Sequence, residues 1–137
     1  MIIQQQRATY DCVPASLCTL LQLDYDATWP AEFLNKIDSK GGCYGDDMEY
    51  IFQTVLKMEQ RVDYWTVYCW NISPDTLKNL LRGRRALLQT PSLNNPPPAM
   101  HMVAWMGDKL YDPSNKKTYT YLENLDIKYV YLFNEMK

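Results

Sequence analysis

The hydrophobic pattern of this chain changes period at Val62, and that change restricts the possible folds more than any other feature. Ahead of Val62, residues 11–21 carry apolar or small residues at helical spacing, and residues 62–70 are rich in β-branched and aromatic residues that alternate roughly with period two. The first helix opens at Cys12. Ala15, Cys18 and Leu21 repeat along one face, Asp11 stands where a cap belongs, and Pro14 falls in the first turn, where amides have no intrahelical acceptor. A second helix is expected over residues 29–37, starting near Pro30. A glycine-broken loop over residues 41–45 separates it from a third, residues 46–59, whose acidic start suits a helix N-terminus. Residues 62–70 read as the first strand. Ser73 caps a short helix running to Leu81 with Pro74 at its first position, and residues 85–90 form the next strand. The proline-rich stretch 91–100 is an extended loop. Residues 101–106 and 109–112 then flank Gly107-Asp108 as a hairpin, and residues 117–121 and 128–133 supply two more strands. Helices first and a mostly antiparallel sheet afterwards make an α+β fold.

With 137 residues, the chain is one domain, residues 1–137, long enough to bury about two-thirds of its unfolded surface in a single core. A formal net charge of −2 lacks the basic excess that phosphate binding demands, so nucleic acid is not an expected partner. No apolar run is long enough to span a membrane. Only two apolar residues follow Met1 before Gln4-Gln5-Gln6, too few for a signal-peptide core, and the expected location is cytoplasmic. Cys12, Cys18, Cys43 and Cys69 are widely spaced with no C-x-x-C pair, and read as free thiols. A three-cysteine, one-histidine zinc site is the formal alternative, but no metal or other cofactor is expected. Oligomeric state is left open.

Thiol chemistry requires a thiolate, and the N-terminus of a helix favours negative charge, so Cys12 is the candidate nucleophile. His101 is the only histidine, and any imidazole that serves Cys12 must come from there. Asp112 ends the strand that pairs across the hairpin with the one His101 begins, a position from which it can orient the imidazole. Read blandly, Cys12 is a small buried hydrophobe, His101 a satisfied strand residue and Asp112-Pro113-Ser114-Asn115 an ordinary turn. The four tryptophans, Trp29, Trp65, Trp70 and Trp105, are expected in the core or the cleft wall.

The segment Gln6-x-x-x-x-Asp11-Cys12-x-x-Ala15-x-Leu17, together with His101-Met102-Val103 ahead of Tyr111-Asp112-Pro113, resembles the C39-like peptidases. These are papain-fold cysteine enzymes that include the double-glycine leader peptidases. The resemblance implies a papain-like arrangement, with N-terminal helices packed on a mostly antiparallel sheet, and a cysteine peptidase acting on a peptide or protein substrate. It also implies roles: Gln6 supplies an oxyanion donor, Cys12 attacks, His101 moves the proton and Asp112 orients it. Gln4 and Gln5 are the fallback amides. Val13-Pro14 stands where the family has a glycine and a small residue. Two other readings stay open: thiol acyl transfer, in which an amine resolves the same thioester, and a peptide-binding module on a catalytically degenerate fold. The loops over residues 41–47 and 91–100 are expected to border the cleft.

Overall fold

The computed structural model describes residues 2–58, 62–91, 100–114, 118–119 and 126–135. Four helices come first: α1 (Cys12–Leu21), α2 (Tyr25–Thr28), α3 (Ala31–Lys40) and α4 (Gly45–Met58). After them run β1 (Val62–Tyr68), α5 (Pro74–Leu81), β2 (Arg85–Pro91), β3 (Met100–Met106), β4 (Leu110–Tyr111), β5 (Thr118–Tyr119) and β6 (Tyr129–Glu135). The strands form one sheet in the order β1-β6-β2-β3-β4-β5 with every pairing antiparallel, so the α+β class and the antiparallel sheet hold.

Local chemistry sets most boundaries. Ser73 accepts from Thr76 N and Pro74 starts α5, as the sequence indicates. Gly41 ends α3 in the left-handed conformation (φ 78°), and Gly42 N closes back on Ile37 O at 2.9 Å. Asp47 takes the reciprocal half of a capping box on α4: its carboxylate accepts from Tyr44 N at 3.0 Å and from Lys40 Nζ at 2.6 Å. The short α2 was not expected. It is a single turn, capped by Asp24 accepting from Ala27 N, and four residues are too few to print a helical period. The 91–100 loop is trimmed at both ends, where Pro91 and Met100 pair as the last rungs of β2 and β3; residues 92–99 lie outside the described residues. So do Glu59 and most of the 117–121 strand.

Period-two alternation divides the core between the two faces of the sheet. Leu87, Met102, Ala104 and Phe133 pack with α1–α4, around Leu17, Leu20, Trp29, Ile37 and Ile51. Ala86, Leu88, Val103, Trp105 and Leu132 pack on the other face beneath Leu77 and Leu81 of α5. The N-terminal helices therefore cover one face only. Trp29 and Trp105 are buried as expected. Trp65 and Trp70 are not, being 62% and 56% exposed: Trp65 lies on β1, the edge strand, and Trp70 in the turn that follows it. Cys18 lies in the helical core and Cys69 in the core under α5, on opposite faces, and all four cysteines are free thiols. Among the described residues no helix is long and apolar enough to cross a membrane.

Candidate functional site

Three segments converge at one end of the sheet: the chain leading into α1, the start of β3 and the turn after β4. α1 lies along β3, and Ser16 Oγ, one turn beyond Cys12, donates to Met102 O at 3.1 Å, the carbonyl next to His101. That bond fixes the height of the helix against the strand. Cys12, at the first position of α1, is partly exposed, and with Asp112 it is one of the two side chains that favour the charged form of the His101 ring.

His101 Nε2 donates to Asp112 Oδ1 at 2.9 Å, which leaves Nδ1 as the nitrogen for the thiol. The turn residues hold Asp112 in place, because the same Oδ1 accepts from Ser114 N at 2.9 Å and Ser114 Oγ at 2.7 Å. Burial opposes a charged imidazole, but the hydrogen bonds to Asp112 and Cys12 and the charges of both outweigh it and lift His101 to about 9. For Asp112, burial pushes upward while the bonds to His101 and Ser114 and the imidazolium charge bring it down to about 2. The charged imidazolium bonded to the Asp112 carboxylate is thus the favoured state across neutral pH.

The remaining thiols are held protonated. Burial raises Cys18 to about 11 and Cys43 to about 12, and it raises Cys69 as well. Cys43, in the 41–47 loop, packs against the same helical core as Cys12, which places that loop near the site. Tyr10, two residues before Cys12, supports that placement, since its ring would lie 3.8 Å from a Cβ at Gly41.

Gln6 reaches the same end of the molecule through its backbone: Gln6 N donates to Pro113 O at 2.8 Å and so ties the N-terminal arm to the Asp112 turn. Its side-chain nitrogen donates to Ala8 O at 2.8 Å and Thr9 O at 3.2 Å, and its Oε1 is buried without a partner. Gln4 Nε2 bonds Gln5 O and Gln5 Nε2 bonds Ser114 O, both at exposed positions. Asp11 corrects the expected capping. Its side chain does not cap α1 but turns back, accepting from Arg7 N, Ala8 N and Tyr25 OH, while its carbonyl receives Ala15 N. Ser16, Ser114 and Tyr25 carry no motif, and only the turn-forming Asp-Pro-Ser sequence hinted at any of them.

The chain matches no family model, no curated protein and no solved structure.

Proposed function

We propose that the protein is a cysteine-dependent hydrolase of the papain-like, C39-like kind, acting on a peptide or isopeptide bond through an acyl-enzyme thioester. The observation that supports this reading is a His101 ring bonded to Asp112, its charged form favoured by a partly exposed Cys12 thiol at the start of α1. Cys12 sulfur attacks the scissile carbonyl as a thiolate. The oxyanion forms against the Cys12 backbone N–H at the start of α1 and the Gln6 amide. A charged oxyanion is a stronger acceptor than a carbonyl, so it competes with Ala8 O and Thr9 O for the Gln6 N–H groups. As the tetrahedral intermediate collapses, the imidazolium of His101 gives its proton to the departing amine, and the thioester remains. Water then attacks with His101 taking its proton, and the acid product and the free thiol are released. Asp112 keeps the ring oriented through both halves. Four unpaired thiols fit a reducing compartment such as the cytoplasm.

Limiting iodoacetamide at about pH 6, with the modified cysteines mapped by mass spectrometry, tests the reading. Cys12 is expected to label first, ahead of Cys18, Cys43 and Cys69, and to lose most of that advantage in His101→Ala. Equal labelling of the accessible cysteines, or a Cys12 rate indifferent to His101, would instead favour the peptide-binding module.

A further inference from the structure

The carboxylate beside the nucleophile has no role in the proposed chemistry, yet it is one of the most buried charged groups among the described residues. Asp11 is 3% exposed. Oδ2 accepts from Arg7 N at 2.8 Å and from Tyr25 OH at 2.6 Å, and Oδ1 accepts from Ala8 N at 3.0 Å. Tyr25 is itself buried, its phenol held protonated by burial and then by Asp11. From outside, the Arg7 guanidinium lies 4.2 Å over the Tyr25 ring and pairs with Asp26 of α2. The turn from Gln6 to Tyr10 is thus gripped between α2 and the start of α1.

A buried charge is an expensive way to gain stability, because a well-packed apolar group of similar size serves as well or better. What a carboxylate provides and an apolar group does not is direction. Two consecutive backbone N–H groups must point at it, which fixes the peptide planes of Arg7 and Ala8. The carbonyls of Ala8 and Thr9, which belong to that turn, hold the Gln6 side-chain nitrogen. We infer that Asp11 is a positioning residue: its carboxylate sets the Gln6–Thr9 turn and so fixes the Gln6 amide relative to the Cys12 backbone N–H.

This inference rests on the thiol-hydrolase reading, and it separates two rates. Acylation of Cys12 by p-nitrophenyl acetate passes through an oxyanion, whereas alkylation by iodoacetamide does not. Asparagine at position 11 keeps one acceptor and turns the other into a donor facing the Arg7 N–H, so the turn loses its register. In Asp11→Asn the p-nitrophenolate burst rate should fall by about tenfold to a hundredfold, while His101-dependent alkylation of Cys12 stays within about twofold of the parent. Gln6→Ala sets the floor, with a fall of about 10²- to 10³-fold in the burst alone. Tyr25→Phe keeps both backbone bonds to Asp11; it should lower the melting temperature and leave the ratio of the two rates unchanged. In the unaltered protein, hydrogen exchange at Arg7 N and Ala8 N should be slow beside that of Thr9 N.

A parallel loss of both rates in Asp11→Asn, or no loss in either, overturns the inference, as does open-chain exchange at Arg7 and Ala8. The exchange result does so even if Asp11→Asn fails to fold. A parent protein with no His101-dependent burst overturns the hydrolase reading and this inference with it. A parent with that burst, matched by Asp11→Asn, overturns this inference alone.

Discussion

At the scale of single residues, the site is governed by how much of the His101 charge survives burial. The imidazole is 22% exposed and its partner carboxylate 20%, so desolvation works against both charged forms, yet their mutual bond, helped by Cys12 at the ring and Ser114 at the carboxylate, prevails. The consequence for stability has a definite sign. His101 titrates near 6.5 when unfolded and about 9 when folded, so its contribution is complete below 6.5 and declines as pH rises through about 9. Asp112 acts in the opposite direction: its contribution is complete above 3.8 and lost as pH falls through about 2. Thermal unfolding followed from about pH 5 to about pH 10 should show the melting temperature falling on the alkaline side, with that part of the slope missing in His101→Ala. A slope identical in both proteins would mean that His101 carries no shifted proton. Cysteine identity alone does not set reactivity here. Four thiols share one chain, but burial holds Cys18, Cys43 and Cys69 in the protonated form, while Cys12 sits partly exposed beside the imidazole.

At the scale of elements, two joints decide whether the thiol meets the ring. One is the β3–β4 hairpin, whose Gly107 adopts φ 97° and whose Met106 N bonds Lys109 O at 2.9 Å. This turn is local, and the pairing of Ala104 with Tyr111 carries Asp112 back toward His101. The other joint is α1 against β3, held by the buried Ser16 hydroxyl on Met102 O. Ser16→Ala removes that bond at a cost of about 1 kcal/mol and frees the helix to slide along the strand. Because Cys12 is one turn away, alkylation at about pH 6 should slow by about threefold, a larger effect than the stability loss would cause in a folded protein. Denaturant unfolding and the labelling rate, measured on the same variant, check the two halves. Lower stability with unchanged labelling would make Ser16 a packing residue only.

At the scale of the whole molecule, the last strand β6 returns between β1 and β2, and the sheet so closed separates a helical layer from the layer under α5. Leu87 and Leu88 are neighbours in sequence and both 0% exposed, but they face opposite layers. Either one changed to alanine should cost about 2–5 kcal/mol in denaturant unfolding. Only Leu87→Ala, which empties space under the helical layer, should also disturb the His101-dependent reactivity of Cys12; equal effects from both would show that the layers are not mechanically separate. Much of this was legible without coordinates, because period and turn chemistry are local. Spacing of apolar residues marked α1, an acidic start marked α4, alternation marked β1, Ser73-Pro74 marked α5, and Gly107-Asp108 marked the hairpin that joins His101 to Asp112. What the tertiary structure decided was everything that joins residues far apart in the chain. The backward turn of the Asp11 carboxylate toward Arg7, Ala8 and the distant Tyr25, the Gln6 N to Pro113 O bond, the burial of Cys18 and Cys69 and the exposure of Trp65 and Trp70 are of this kind. Each depends on which surfaces meet when helices close on the sheet, and a local sequence pattern records which side of an element is apolar but not which partner will cover it.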